Sequence, residues 1–141
     1  MDVRLVQTDS ELEDAFEVRK IVFVDEQNVP VEEEIDQYEE DSVHFVAYDA
    51  SKPVAAGRLR ILEDTGKVER ICVLADYRKT GLGKQVMEAI EQHAAELGAS
   101  TAKLNAQTHA EAFYGKLGYE TVSGLFMDAG IPHVTMVKKL K

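Results

Sequence analysis

Hydrophobic and polar positions follow two different periods, which alternate in blocks along the chain. Short apolar or alternating runs are typical of β-strands, and they cover residues 3–7, 43–48, 53–62, 67–74, 101–105, 119–127 and 133–140. Between these runs, apolar residues spaced three or four apart predict helices. The predicted order of elements is β-α-β-β-β-α-β-α-β-β, and an extra short helix in the acidic loop around Pro30 is an open alternative.

The ends of the predicted helices are marked by residues that cap or stop helices. A Ser or Thr three residues before a Glu forms a capping box, and a Gly after the last turn ends a helix. These signals are Ser10 with Glu13, Thr108 with Glu111, Gly98 and Gly118. Strands alternating with helices predict an α/β fold of three layers, in which helices flank a mixed central β-sheet. The length of 141 residues predicts a single domain, 1–141.

Charge is unevenly distributed along the chain, whose formal net charge is −10. Residues 1–41 hold 15 acidic and 3 basic residues, and nine of the acidic ones lie in the stretch 25–41. This stretch is either solvated surface or a lip that attracts a cationic ligand. The rest of the chain has no broad cluster of Lys and Arg, so a nucleic-acid partner is not expected.

Composition also argues against several other classes of protein. The single cysteine, Cys72, excludes an internal disulfide, and four scattered His residues lack the spacing of a metal site. No run of about 18 apolar residues predicts a membrane helix, and the first residues do not resemble a signal peptide. We therefore expect a cytoplasmic protein with neither a metal site nor membrane contact.

A glycine-rich segment joins the strand at 67–74 to the helix that follows it. Its pattern is Arg78-x-x-Gly81-x-Gly83, at the start of a helical pattern. A helix N-terminus presents free N–H groups and a partial positive charge, and glycine lets an anion approach the backbone closely. The segment therefore predicts a phosphate-binding loop. It is not a Walker loop, because Arg78 stands where that motif requires glycine.

A second motif follows about thirty residues later, as AEAFYGKLGYE. Together with ERICVLADYRKTGLGKQVMEAI, it resembles the GNAT family of acyl-CoA-dependent N-acetyltransferases. The resemblance extends over essentially the whole chain, and VFVDEQNVP and AGIPHVTM look like segments of small bacterial members. It implies a GNAT-like fold with a V-shaped opening between the strands at about 67–74 and 100–105, and acetyl-CoA as the cosubstrate.

The resemblance also assigns coenzyme contacts to particular residues. The pyrophosphate is expected on the loop and helix start, formed by Arg78, Lys79, Thr80, Gly81, Leu82, Gly83 and Lys84. The pantetheine arm is expected on the backbone of Ile71, Cys72 and Val73, with Asn105 as a further contact. A free N–H near Val73 is expected to stabilise the oxyanion.

Tyr114 matches the family's usual acid, which protonates the departing thiolate. We interpret Phe113 and Leu117 as the packing face of its helix, so that Tyr114 points elsewhere. The general base is less defined. Glu69 is a candidate because period-two alternation places it on one strand face with Ile71 and Val73, and a surface ion pair explains it equally well.

Three further residues have side chains that could take part in catalysis. Glu26 and His133 are weaker candidates for the base, His133 because imidazole titrates near neutrality. Cys72 lies among apolar strand residues and is interpreted as a small buried hydrophobe, not as a nucleophile.

Two functions remain open at this level. The first is an enzyme, an N-acetyltransferase that moves an acetyl group from acetyl-CoA to a primary amine by direct attack. The second is a non-catalytic acyl-CoA-binding regulatory module on the same fold. Tyr114 favours the enzyme, because a binding module needs no acid at the leaving group. The acidic stretch 25–41 favours a cationic acceptor, either a small-molecule or a peptide amine, and the oligomeric states left open include a homodimer.

Overall fold

The computed structural model describes residues 1–140, and these form one eight-stranded sheet with helices on both faces. The strands are β1 Asp2–Leu5, β2 Val43–Asp49, β3 Lys52–Leu62, β4 Thr65–Val73, β5 Thr101–Gln107, β6 Glu120–Thr121, β7 Phe126–Asp128 and β8 Ile131–Lys139. The helices are α1 Asp9–Arg19, α2 Val31–Glu34, α3 Leu82–Glu96 and α4 Glu111–Lys116. A π-helical turn, Lys20–Glu26, extends α1, and short 3₁₀ turns cover Ala75–Tyr77 and Thr108–Ala110.

The sheet order is β1-β2-β3-β4-β5-β8-β6, and β7 also pairs with β8. Every pairing is antiparallel except that of β4 with β5. The prediction of a three-layer α/β fold with a mixed central sheet is confirmed.

Two apolar layers hold the helices against the sheet. On one face, α3 is buried against the middle strands through Leu82, Val86, Met87, Ile90 and Ala94, whereas Leu97, which the helical spacing also places on the apolar stripe, is 50% exposed. On the other face, Ala15, Val18 and Val22 pack over β2 and β3. Since an amphipathic helix is stable only when its apolar stripe is covered, both helix faces are fixed by these layers.

Both predicted capping boxes were wrong, although the helices exist. Thr8 caps α1, because its hydroxyl accepts from the Glu11 N–H at 3.1 Å, and Ser10 already lies within the first turn. The carboxylate of Glu11 in turn accepts from the Gln7 N–H at 2.8 Å. For α4, a 3₁₀ turn begins at Thr108, so the helix starts later and has no side-chain cap.

The strand predicted over residues 119–127 is broken into β6 and β7. Between them Val122 and Leu125 are exposed, so the apolar alternation there does not reflect burial. The serine in this gap binds the sheet through its side chain, since Ser123 Oγ accepts from the Thr135 N–H at 2.8 Å. A side chain therefore takes the place of a regular ladder bond.

The predicted V-shaped opening is present. The strands β4 and β5 pair only from Thr65 with Thr101 to Val68 with Leu104. Beyond that point, residues 69–73 and 105–107 have no ladder partners in each other. Because the backbone groups on the facing edges of these two segments do not pair with each other, a ligand between the strands can bind to them.

A bulge in β4 lies directly after the last paired residue. Arg70 has a left-handed φ of 58°, and the register with β3 shifts between Ala56 and Arg58. A bulge inserts an extra residue and changes which face the following side chains occupy. The predicted shared face of Glu69, Ile71 and Val73 was therefore wrong. Glu69 lies on the α1 side beside Arg58, whereas Ile71 packs on the α3 side, within reach of Gly57.

Candidate active site

A cleft of about 1330 Å³ runs through the opening between β4 and β5. Its walls come from the π-helical turn, the segment around α2, both diverging strands, the start of α3, α4 and β8. Typical small-molecule pockets are roughly 300–1,000 Å³, so this cleft has room for a large ligand together with a second, smaller one.

The glycine loop forms one end of this cleft. Two of its residues adopt left-handed backbone, Lys79 with φ 63° and Gly81 with φ 87°. Gly81 is the N-cap of α3, and no side chain caps the helix. The first N–H groups of a helix have no intrahelical acceptors, so this N-terminus suits an anionic ligand. Five of the predicted loop residues line the cleft, namely Arg78, Lys79, Gly81, Gly83 and Lys84.

Two predicted loop residues have a different position. Leu82 is buried in the core with 1% exposure, so only its backbone is available to a ligand. The hydroxyl of Thr80 donates to the Tyr77 carbonyl at 2.6 Å and does not line the cleft. Gly83 is needed for packing as well, since a Cβ there would lie 3.1 Å from the Phe113 ring.

Arg78 connects three parts of the site. Its guanidinium forms two hydrogen bonds with Glu26, at 2.6 and 2.9 Å, and its Nε donates to the Val73 carbonyl at 3.0 Å. The hydrogen bond from Arg78 lowers the pKa of Glu26. These bonds occupy the Glu26 carboxylate, which makes it a poor general base.

The end of β4 presents its backbone to the opening. The Leu74 N–H donates to the Val54 carbonyl of β3 at 2.9 Å. Because donors alternate in direction along an antiparallel strand, the N–H of Val73 points away from β3 and into the opening. Cys72 is buried, and burial raises the pKa of its thiol to about 12. Such a thiol is not a nucleophile, in line with the interpretation of Cys72 as a buried hydrophobe.

Tyr114 is the buried residue of α4. It is only 8% exposed, and its ring makes edge contacts with Phe113 and Tyr119, at centroid distances of 5.0 and 6.0 Å. The residue lines the cleft, and its hydroxyl makes no hydrogen bond within residues 1–140. Burial, together with the nearby Cys72, raises the pKa of Tyr114 well above its usual value. The hydroxyl therefore stays protonated at neutral pH and can donate a hydrogen bond. The interpretation of Phe113 as a packing residue was wrong, since it is 37% exposed.

Glu69, the predicted base, is held by arginines. Its Oε1 accepts from Arg60 Nε at 2.7 Å and from Arg58 Nη2 at 2.9 Å, and its Oε2 accepts from Arg60 at 3.2 Å. Burial raises the pKa of Glu69, but the hydrogen bond from Arg60 and the charge of Arg58 outweigh it, so the pKa is lowered. A carboxylate in this setting accepts a proton poorly. Its role as a base stays a prediction.

Side chains of β5 line the other wall of the opening. Asn105 lies on the cleft, where its Oδ1 accepts from the Thr135 hydroxyl at 2.9 Å, and its contact with pantetheine stays a prediction. Gln107 was missed, because the strand was predicted to end at 105. Its side-chain Nε2 donates to the side-chain Oε1 of Gln27 at 2.8 Å. This hydrogen bond joins β5 to the end of the π-helical turn.

The acidic stretch 25–41 does not act as one lip. Four of its nine carboxylates are ion-paired, Glu26 with Arg78, Glu34 with Arg19, Asp36 with Arg58, and Glu39 with both Arg19 and Arg58. Arg19 and Arg58 are buried. Buried charges persist only when paired, so part of the stretch fastens the segment around α2 to the sheet. Glu32 and Glu33 remain exposed on the cleft.

These pairs predict acid sensitivity of the fold. Burial raises the pKa of Glu39, but hydrogen bonds and charge from Arg19 outweigh it and lower the pKa to about 2. A carboxyl group with a lowered pKa stabilises the fold fully at pH values above its pKa in the unfolded chain, which is near 4.5. It loses that contribution as the pH falls towards its folded-state pKa of about 2. We expect the free energy of unfolding, measured with urea, to fall by on the order of 2 kcal/mol over that pH range because of Glu39. The variant Glu39→Gln should have a lower free energy of unfolding at neutral pH, and that free energy should depend less steeply on pH. Equal slopes for the two proteins would contradict the prediction.

Comparisons with known proteins agree with this geometry. The family model for the acetyltransferase (GNAT) domain matches residues 10–140. The chain is 52% identical over 139 residues to the uncharacterized N-acetyltransferase YjcF of Bacillus subtilis (strain 168), covering 98% of this chain and 99% of that one. The crystal structure of an acyl-CoA N-acyltransferase from Pseudomonas aeruginosa matches with a TM-score of 0.87 at 30% identity, covering 98% of this chain and 99% of that one.

A more distant structure shows the fold alone. It is an aminoglycoside 6'-N-acetyltransferase complexed with coenzyme A, with a TM-score of 0.80 at 16% identity, covering 100% of this chain and 98% of that one. Fold and cleft together define an acyltransferase. The chain belongs to the GNAT family of acetyltransferases, which use acetyl-CoA as a cosubstrate.

Within residues 1–140 no helix is long and apolar enough to span a membrane. The same residues hold no group of three or more His, Cys, Asp or Glu placed to bind a metal ion.

Proposed function

We propose that the protein is an N-acetyltransferase that moves an acetyl group from acetyl-CoA to a primary amine by direct attack. The observation that carries this proposal is Tyr114, a residue that lines the cleft and whose protonated hydroxyl has no hydrogen-bond partner within residues 1–140. Such a hydroxyl is free to donate to a ligand, and a departing thiolate would accept that hydrogen bond.

The residues around the opening fit the parts of the coenzyme. The loop from Arg78 to Lys84 would bind the pyrophosphate through backbone N–H groups and positive charge. The backbone of residues 71–73 and the Asn105 side chain would hold the pantetheine arm. The Val73 N–H would stabilise the oxyanion as the amine attacks. Acetyl-CoA itself supplies the activated thioester carbonyl.

The test is the release of coenzyme A thiol from acetyl-CoA across a panel of amines, with mass spectrometry of the products. The panel includes polyamines, aminoglycosides, lysine-rich peptides, neutral amines and amino acids. We expect amine-dependent release with a matching acetylated product. Tight coenzyme binding without release on any amine would instead support the non-catalytic acyl-CoA-binding module.

The acceptor is proposed to be cationic. Glu32 and Glu33 line the cleft beyond the ion-paired carboxylates and are exposed, so they would raise the local concentration of a cation. Glu34 has no such role, because it is buried against Arg19 at 2.7 Å. Action in the cytoplasm and assembly as a homodimer both stay predictions.

Charge reversal tests this proposal. In Glu32→Lys with Glu33→Lys, we expect KM for the best polycationic acceptor to rise about tenfold at low salt. The rise should shrink at physiological salt, where the Debye length is about 8 Å, and KM for acetyl-CoA should not change. Glu40→Lys with Asp41→Lys is the matched control, since it changes the net charge equally at exposed positions that do not line the cleft. Equal effects of the two double variants would mean that the stretch acts only through net charge.

A further inference from the structure

His133 has the geometry of a general base. It lies on the wall of the cleft, is 8% exposed, and its Nδ1 is 2.7 Å from the Ile131 carbonyl oxygen. A carbonyl oxygen can only accept, so Nδ1 of the neutral ring carries the proton and Nε2 keeps its lone pair. This hydrogen bond fixes the tautomer that a base needs.

The Nε2 atom of His133 is open to the cleft. It makes no hydrogen bond within residues 1–140. In the same part of the chain, the buried side-chain nitrogen or oxygen atoms that lack a partner are limited to Nδ1 of His44. Nε2 of His133 therefore lacks a partner without being buried, and the residue lines the cleft.

The ring of His133 is held in place by a neighbouring aromatic ring. It stacks on Phe126 at a centroid distance of 5.9 Å and an angle of 24°. On the neighbouring strand β5, Gln107 lies opposite His133. The Gln107 side chain binds Gln27 on the α1 side of the sheet. Neighbouring strands are about 4.8 Å apart, so His133 lies one strand spacing from the strand that forms one wall of the opening.

The other candidates for the base are occupied. Both oxygens of Glu69 accept from arginines, and both oxygens of Glu26 accept from Arg78. A carboxylate with a lowered pKa and two filled acceptor atoms cannot compete for the proton of an ammonium group as well as a free imidazole nitrogen can.

We propose that His133 is the general base of the transfer, acting through Nε2 directly or through one water. This inference rests on the proposed function. His133 takes one proton from the acceptor ammonium, and the neutral nitrogen forms the C–N bond to the thioester carbon. The C–S bond then breaks, and the sulfur takes a proton from Tyr114. Tyr114 regains a proton from the nitrogen, and His133 passes its proton to solvent, so one amide, one thiol and one proton are formed.

Other charged groups around His133 can also affect the pH profile of the reaction. Asp128 on β7 and His109 in the Thr108–Ala110 turn line the same cleft. On β5 and β6, Lys103 and Glu120 lie opposite Val137, four residues along β8. Asp128→Asn and His109→Gln therefore serve as controls for the pH profile.

The test compares His133→Asn with His133→Gln. The Asn amide can donate to the Ile131 carbonyl as Nδ1 does, and the Gln amide reaches towards the position of Nε2, but neither is basic. We expect kcat/KM for the amine to fall about 10²-fold at pH 7 in both variants. Coenzyme A affinity, and the melting temperature of His133→Asn, should match those of the wild type.

The shape of the pH profile gives the decisive readout. Wild-type kcat/KM should reach a plateau and keep it up to the pKa of the acceptor, about 10.4 for a lysine-type amine. Without the base, only neutral amine reacts, so the variants should lose the plateau and gain about tenfold per pH unit up to that pKa. With an acceptor amine of lower pKa, the variants should lose less of the wild-type kcat/KM. Glu69→Gln should keep the plateau and unfold more easily.

Several results would overturn the proposal. If His133→Asn keeps the plateau while His133→Gln loses activity, His133 acts only through its Nδ1 hydrogen bond. If both variants keep the plateau, or if only Asp128→Asn or His109→Gln removes it, His133 is not the base, although the proposed function stands. If the wild type acetylates no amine, the proposed function and this inference fail together.

Discussion

Tyr114→Phe is expected to lower kcat by about 10²–10⁴-fold while leaving coenzyme A affinity almost unchanged. The substitution removes one hydroxyl and keeps the ring that packs between Phe113 and Tyr119. Acid catalysis of this kind contributes roughly that factor, and an interaction made only in the transition state appears in kcat. Steady-state kinetics on the best acceptor, with calorimetry of coenzyme A binding, measure both quantities.

A matched control is available in the same cluster. The Tyr119 hydroxyl donates to Glu91 at 2.8 Å and does not line the cleft. Tyr119→Phe should therefore lower the melting temperature with little effect on kcat. Tyr114→Phe should keep or raise the melting temperature, because the lost hydroxyl has no partner within residues 1–140. Full activity of Tyr114→Phe would remove the acid from the mechanism.

Gly81→Asp is expected to weaken coenzyme A binding by about 10²–10³-fold. A Cβ at Gly81 meets no atom within 4 Å, so the new carboxylate would occupy the open space in front of the α3 N-terminus. A unit charge 4 Å from a phosphate near a protein surface costs about 4 kcal/mol, and each 1.4 kcal/mol is a factor of ten in affinity. Calorimetric titration with coenzyme A gives the dissociation constant directly.

Gly81→Asn separates charge from backbone strain. The φ of 87° is a left-handed value that Asn tolerates better than most residues, and Asn carries no charge. We expect a much smaller loss of affinity in Gly81→Asn than in Gly81→Asp. Pantetheine, the fragment of the coenzyme that lacks the pyrophosphate, should be affected much less by the aspartate, whereas dephosphorylated coenzyme A, which keeps the pyrophosphate, should be affected as strongly as coenzyme A. A folded Gly81→Asp protein that binds coenzyme A normally would refute the phosphate assignment.

Local signals in the sequence predicted the elements that depend on local structure. Apolar spacing predicted α3 and its buried stripe, and Gly98 and Gly118 do end helices, with φ values of 97° and 101°. The glycine loop followed from a motif whose geometry depends on residues close in sequence, whereas the V-shaped opening was implied by the resemblance to the GNAT family. The position of Tyr114 in the cleft also followed from the motif, although the reasoning from its neighbour Phe113 was wrong.

Features created by distant contacts could not be predicted in this way. Arg70 is not a residue type that favours left-handed backbone, so no local signal marks the bulge that turns Glu69 away from Ile71. The hydrogen bond between Gln27 and Gln107 joins residues 80 positions apart. Likewise, the arginines that neutralise Glu34, Asp36 and Glu39 come from α1 and β3, so the acidic stretch gave no indication of its partners.

The most direct test of the central claim is a single-turnover reaction of the protein with acetyl-CoA and its best amine, followed by mass spectrometry of every product. Direct transfer predicts equal amounts of acetylated amine and free coenzyme A, with the protein retaining its unmodified mass throughout. An acetylated protein intermediate, such as a thioester at Cys72, or coenzyme A release without an acetylated amine, would contradict the claim.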